Sequence, residues 1–419
     1  MRINHRVFAL SIFICCNVKA QSTIDCSSHR FDHEVFPAVS LTSNIHYGSN
    51  IDVNGAVTDL TLDLYEPAGD TMLHRPVIVW AHGGSFLSGL KNDVDVVSLS
   101  QHFAKRGYVC ISINYRLGIA FPINQDNATK AVYRAMQDMK AAIRFLRKDA
   151  ATNNQYKIDP AIIFAGGTSA GAFTALHLAY LNTYAELPSQ IDTAVMGDLE
   201  GNSGNRGYSS EVNAVIDLCG ALGNKTWMMA DDIPFVAMHG DLDRTVPYAT
   251  ALILLLGTFP VMVVDGSYSI SEYANTIGLY NEMYTYYGAD HVPFVTSTAY
   301  MDTTVRFVSN FLYRYLGCTP ADPAPLANTF TTGINSSLGE RDFLIYPNPG
   351  NGIFTFNFPD LKKINQLLIF DICGRKLTEF NHLENSATVN LTDLSPGVYF
   401  YTIKSDNKFF SGKLIKQDK

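Results

Sequence analysis

The run Gly167-Thr168-Ser169-Ala170-Gly171 places a serine among small residues. An apolar, β-prone segment, 161–165, precedes it directly. A helix-like run with Ala172, Ala175, Leu176, Leu178 and Ala179 follows. A serine on a sharp strand-to-helix turn is held exposed at the strand end, where its hydroxyl can attack a carbonyl. The glycines let neighbouring chain pack close, and the helix start favours negative charge at the reacting oxygen. Alone, the pattern also fits an ordinary turn of small residues. A second run, His82-Gly83-Gly84-Ser85-Phe86, follows the apolar stretch 77–81. Attack on an ester creates an oxyanion, and each fixed backbone donor facing it is worth about 2.7–4 kcal/mol. The N–H groups of Gly84, Ser85 and Ala170 are the expected donors, with His82 as a brace for the loop. A plain glycine-rich turn is the competing reading. Downstream lie His239-Gly240-Asp241-Leu242-Asp243 and Gly288-Ala289-Asp290-His291. Either Asp241 or Asp243 can orient a histidine, and either can simply cap a turn. His291 is the expected general base, because nucleophile, acid and histidine then occur in the chain order of a strand-turn-helix hydrolase. His239 lies at a strand end, His177 on the helix after Ser169, and His382 in the C-terminal module.

Such residues need a scaffold that brings strand ends together. Between about 40 and 316, apolar runs alternate with helical periodicity, which predicts an α/β fold with a mostly parallel sheet flanked by helices. The runs 76–81, 108–114, 161–165, 214–219 and 234–239 are uniformly apolar, as strands covered on both faces are. Segments 128–148 and 302–316 space apolar residues by three and four, as amphipathic helices do. Residues 197–210 carry Gly197, Gly201, Gly204 and Gly207 and are expected as a loop near the reactive face. Residues 181–210 are a possible cover for the pocket. After 343 the helical period disappears and short alternating runs predict a small all-β, sandwich-like module.

The chain has 419 residues, 47% hydrophobic and 17% charged, with a net charge of −8. That is a globular balance with ample apolar material for a core. No basic block appears, so nucleic acid is not an expected partner. The first twenty residues have a basic start, an apolar run and a small-residue end, the layout of a secretory signal cut after Ala20. The apolar run is too short for a spanning helix of about 20 residues, and no membrane span is expected. Losing Arg2, Arg6 and Lys19 leaves the exported chain more acidic still. The expected organisation is a signal at 1–20, a catalytic domain at 21–318, a linker at 319–340 and a C-terminal domain at 341–419. Cys110 and Cys219 read as core residues. Cys26 and Cys318 bracket the catalytic region and can pair outside the cytoplasm. No Gly-x-Gly-x-x-Gly follows a strand and no Cys-x-x-Cys occurs, so neither a cofactor nor a metal is expected.

Together these motifs resemble the α/β-hydrolase esterase/lipase family over about 40–316. The segment at 82–86 is similar to the His-Gly-Gly-Gly loop of carboxylesterase and hormone-sensitive-lipase-like enzymes, with Ser85 in place of the third glycine. Asn114-Tyr115-Arg116-Leu117 resembles the run after the family's next strand. The family's His-Gly-x-x-Asp-x-x-Val-Pro register, with Val246 and Pro247, favours Asp243 over Asp241. The tail resembles a type IX secretion sorting domain, through Tyr346-Pro347-Asn348-Pro349, Asp371-Ile372-Cys373-Gly374-Arg375, Leu394-Ser395-Pro396-Gly397-Val398-Tyr399 and Lys413-Leu414-Ile415-Lys416. This resemblance implies a Bacteroidetes-type source, export across the outer membrane by that machinery, and removal of the tail.

The combined expectation is a secreted carboxylic ester hydrolase with Ser169 as nucleophile, His291 as base and Asp243 as acid. It acts on a small-molecule or polymer ester through an acyl-enzyme, without a cofactor. A carbohydrate esterase for acetyl or feruloyl groups, a peptidase or amidase on the same fold, and an inactive binding protein are the alternatives.

Overall fold

The computed structural model describes residues 24–321, 344–357, 364–371, 376–383, 386–405 and 408–417. The expected signal segment, most of the expected linker, and Cys373-Gly374-Arg375 lie outside these residues. The chain divides into two compact units, Met1–Phe330 and Thr331–Lys419.

In the first unit the strands are β1 (Val39–Ile51), β2 (Val57–Pro67), β3 (Arg75–Ala81), β4 (Val109–Ile113), β5 (Ile158–Thr168) and β6 (Ala214–Leu218). They continue as β7 (Ala221–Leu222), β8 (Phe235–Gly240), β9 (Thr250–Leu255), β10 (Phe259–Gly266) and β11 (Asn281–Tyr286). The helices are α1 (Val94–Lys105), α2 (Gln125–Thr152), α3 (Ala170–Tyr180), α4 (Thr193–Met196), α5 (Ser267–Ile277) and α6 (Thr298–Tyr315). Eight strands form the main sheet in the order β1-β2-β4-β3-β5-β6-β8-β11. β1 and β2 pair antiparallel, and β2 joins β4 antiparallel. Every other pairing in the sheet is parallel.

The uniformly apolar runs have a simple cause. Along β3, Val77, Val79 and Ala81 enter one core while Ile78 and Trp80 enter the other. β4 and β5 alternate in the same way. The first core is closed by α2, α3 and α5, and the second by α1 and α6. Both faces of the parallel strands are therefore buried, so no polar alternation survives to mark them.

Two parts of this unit were not read from the sequence. One is the β1–β2 hairpin at the sheet edge. The other is the β9–β10 hairpin, seen only as an apolar stretch broken at Gly257, Thr258 and Pro260. Leu256 and Gly257 both adopt positive φ, 55° and 69°. They form a tight turn of the kind that suits hairpin twist. Gly257 and Thr258 thus belong to the turn, while Pro260 lies within β10 opposite Leu254.

The second unit holds two antiparallel sheets. β12 (Leu344–Tyr346), β13 (Ile353–Asn357) and β16 (Ser386–Asn390) form one. β15 (Lys376–Leu383), β14 (Ile364–Phe370), β17 (Gly397–Ser405) and β18 (Lys408–Lys416) form the other. Phe354, Phe356 and Val389 from the first share a core with Leu367, Ile369 and Ile403 from the second. That is the expected small β sandwich.

Cys26 and Cys318 form a disulfide across 292 residues of sequence. The Tyr313 hydroxyl donates to the Cys26 carbonyl at 2.7 Å beside it. Cys110 and Cys219 are free and buried. Cross-linking so distant a pair restricts the unfolded chain strongly. Replacing both bridging cysteines by serine should lower unfolding stability by about 2–4 kcal/mol, measured by denaturant titration.

Candidate active site

Ser169 sits between β5 and α3 with φ 54° and ψ −119°. This strained conformation lifts the side chain off the sheet's carboxyl edge. The turn needs glycine behind it. A Cβ on Gly171 would stand 1.9 Å from the carbonyl oxygen of Ala81. The close approach seats the start of α3 on the end of β3, from which the loop 82–86 departs.

That loop curls through consecutive positive φ values, 105° at Gly84, 57° at Ser85 and 60° at Phe86. The conformation explains why a third glycine suits this place, and Ser85 adopts it nonetheless. Among the described residues none accepts a hydrogen bond from the N–H groups of Gly84, Ser85 or Ala170. The loop is braced from below. His82 stacks on Tyr115 with ring centroids 4.4 Å apart, and its Nδ1 lies 2.7 Å from the Gly83 carbonyl. Burial holds the His82 pKa below the usual imidazole range. The Tyr115 hydroxyl donates to the His82 carbonyl at 2.8 Å.

The sequence-predicted residues converge. The Ser169 hydroxyl donates to His291 Nε2 at 2.9 Å, and His291 Nδ1 donates to Asp243 Oδ2 at 2.6 Å. The Asp243 side chain is fully buried. Its Oδ1 accepts from the N–H groups of Thr245 and Val246, both at 2.8 Å. Burial would push this carboxyl up, but hydrogen bonds from His239 and His291, with their charges, hold it well below the carboxylate range. The group therefore stabilises the fold above its unfolded pKa of about 3.9, and that contribution is lost as pH falls through the depressed value. Asp241 does something else. It accepts from the Gly288 N–H at 2.6 Å and so ties its own loop to the one carrying His291.

Two contributors escaped sequence reading. His239 is completely buried behind Asp243, with Nε2 3.1 Å from both Asp243 Oδ2 and the Val246 carbonyl. Two acceptors facing Nε2 require it to carry a proton. On its other side Nδ1 meets the Ser267 hydroxyl at 2.7 Å, and Ser267 lies 2.6 Å from Asp217. Burial raises the Asp217 pKa. His239, Ser267 and Asp217 thus form one buried hydrogen-bonded series behind Asp243. Asp95 of α1 is the second. One of its oxygens accepts from the Thr168 hydroxyl and lies 3.4 Å from the Gly83 N–H, joining the Ser169 turn to the glycine loop.

Ser169 opens onto a small apolar pocket of about 70 Å³, walled by Phe86, Phe173, Val246, Ile253, Leu255 and Met262. The β9–β10 hairpin supplies much of that wall. The segment 181–210, considered as a cover, instead lines a separate cavity of about 530 Å³ at Leu181, Pro188 and Ile191. Val132 and Met262 border both spaces. His177 lines the larger one, its pKa pushed down to about 4 by burial. The glycine-rich loop 197–210 is not part of the site. Ser203 donates to Asp138 at 2.5 Å and Glu200 pairs with Lys140 and Arg144, which anchors it on α2. Arg116 joins the same buried group through Asp138. No metal ligands were read from the sequence, yet two groups of residues with metal-binding atoms converge. One is Cys219, Asp243 and His291, within this site. The other is His29, Asp32 and His33, remote from it.

Residues 62–229 match the BD-FAE family, an α/β-hydrolase esterase family, and residues 344–417 match the Secretion system C-terminal sorting domain. Over the matched residues the first unit is thus similar to α/β-hydrolase esterases, and the tail is similar to a secretion sorting domain. Over 116 residues the chain is 34% identical to mouse (Mus musculus) carboxylesterase 3B, covering 27% of this chain and 19% of that protein. The chain spans about a fifth of the length of the curated relatives it matches. Thermogutta terrifontis esterase 2 phosphorylated by paraoxon is 24% identical over 67% of this chain and 95% of its own, with a TM-score of 0.47. A truncated carbohydrate esterase from gut microbiota is 21% identical over 66% and 96%, with a TM-score of 0.48. The sorting-domain match marks the chain for export to the cell surface or beyond.

If Ser85 serves through its backbone N–H, as the sequence leads one to expect, its side chain is dispensable there. Ser85→Gly should keep kcat within about twofold of the parent, since a hole donor is a backbone group. A tenfold loss in steady-state ester assays would give the hydroxyl a part.

Proposed function

We propose that this protein is an exported carboxylic ester hydrolase working through Ser169, His291 and Asp243. The observation that carries the reading is the unbroken chain of hydrogen bonds from Ser169 to His291 to Asp243, at the mouth of an apolar pocket. His291 Nε2 takes the hydroxyl proton as Ser169 Oγ bonds to the substrate carbonyl carbon. The N–H groups of Gly84, Ser85 and Ala170 receive the oxyanion. As the tetrahedral species collapses, the ester C–O bond breaks and the departing alkoxide takes the proton from His291. Water then attacks the acyl-enzyme with His291 again as base, releasing the carboxylic acid and restoring Ser169. Asp243 holds the imidazole with its proton on Nδ1 and stabilises the imidazolium.

The dimensions of the pocket favour a short acyl group. About 70 Å³ holds only a few carbon atoms, and Met262 of the hairpin and Val132 of α2 border both this pocket and the larger cavity. The BD-FAE match and the carboxylesterase similarity support ester chemistry, and the sorting domain supports an extracellular substrate reached through type IX export.

The test is a series of p-nitrophenyl esters from acetate to laurate. The protein should hydrolyse acetate and butyrate best, and Ser169→Ala should lower kcat at least about a thousandfold while circular dichroism stays unchanged. Undiminished hydrolysis by Ser169→Ala would end the proposal. Turnover of an anilide at a rate matching its ester would move the reading to an amidase.

A further inference from the structure

The second group of metal-binding atoms lies at the opposite end of the sheet from Ser169. His29, Asp32 and His33 fall within one turn of chain, closed by the His33 N–H donating to the His29 carbonyl at 3.0 Å. A separation of four residues in such a turn puts both imidazoles on one side, with Asp32 between them. The turn is held from behind. Phe31 is buried against Tyr108, with ring centroids 5.0 Å apart, and Arg106 Nε donates to the Asp32 carbonyl at 3.1 Å. The disulfide at Cys26 fixes the chain just upstream.

Asp32 makes the group unusual. Its side chain is 2% exposed, and neither carboxylate oxygen takes part in a well-formed hydrogen bond. Burying a carboxylate without donors is costly unless a cation or proton compensates it. What faces its oxygens are two imidazole nitrogens, His33 Nδ1 at 2.8 Å and His29 Nδ1 at 3.6 Å. The nearest fixed cations are already engaged, since Arg106 and Lys105 both pair with Glu34. The three ligand atoms lie within 4.8 Å of one another. Around tetrahedral zinc, bonds of about 2.0–2.1 Å place ligand atoms about 3.3 Å apart, so small rotations of the half-exposed histidines bring all three into range.

We infer that His29, Asp32 and His33 form a binding site for one divalent zinc-like ion. Two imidazole nitrogens and a carboxylate suit a borderline metal, with water completing the shell on the open side. The ion would fix the turn at 29–33, which the Arg106 backbone and side chain already hold against the end of α1. It would act on stability and leave ester hydrolysis alone.

The experiment uses the full chain stripped with EDTA, with Zn²⁺ alone as the probe. Native mass spectrometry should count one bound zinc. The melting midpoint should rise by about 3–6 °C when zinc is a hundredfold above its dissociation constant. The double variant His29→Gln/His33→Gln should fold, retain ester turnover, and lose both the bound ion and the shift. Two results would overturn the inference. One is the absence of zinc from the native chain, which would leave a metal-free His–Asp ion pair. The other is zinc bound equally by the variant. Zinc at Cys219, Asp243 and His291 would reveal itself by inhibiting ester hydrolysis in native and variant chains alike.

Discussion

Asp243 holds a negative charge where no solvent reaches it, and the reactive end of the molecule is organised around keeping that charge in place. Two backbone N–H groups from its own loop bind one oxygen, and two imidazoles meet the other. Remove that compensation and burial would neutralise the acid. With it, the carboxylate stays ionised and fixes which nitrogen of His291 carries the proton. The lone pair on the opposite nitrogen is then free to accept from Ser169. The buried sequence His239, Ser267 and Asp217 extends the arrangement inward, so the strand ends of β6 and β8 and the start of α5 all constrain the position of one acid.

Much of this was legible because the fold lays chemistry out in order along the chain. Ser169 and Asp243 each follow a strand buried on both faces, and such strands are conspicuous, whereas His291 follows the half-buried edge strand β11. Asp243 was separable from Asp241 only through the spacing to Val246 and Pro247, and the structure gives Asp241 the separate task of tying two loops. His239 and Asp95 were not legible. Their importance comes from what lies across the fold from them, and no local pattern records that. The β9–β10 hairpin was missed because its turn residues, read one at a time, look like interruptions of an apolar run. His29 and His33 stand four apart with Asp32 between. That spacing is visible in the sequence, but the burial that leaves the Asp32 carboxylate facing the two imidazoles is not.

The same hairpin links fold to selectivity. A parallel sheet places Ser169 at its carboxyl edge but leaves the space above open. β9 and β10 close that space with aliphatic side chains and reduce it to a slot. The larger cavity shares Met262 and Val132 with it and is lined by residues of the segment after α3. Selectivity for short acyl groups would thus come from an insertion after β8, while the chemistry rests on the sheet.

The most direct measurement is where a fluorophosphonate attaches. The account predicts a single covalent adduct on the peptide containing Ser169, seen by tandem mass spectrometry, and its loss in His291→Ala. An adduct on another serine, or none in a preparation that hydrolyses esters, would contradict it.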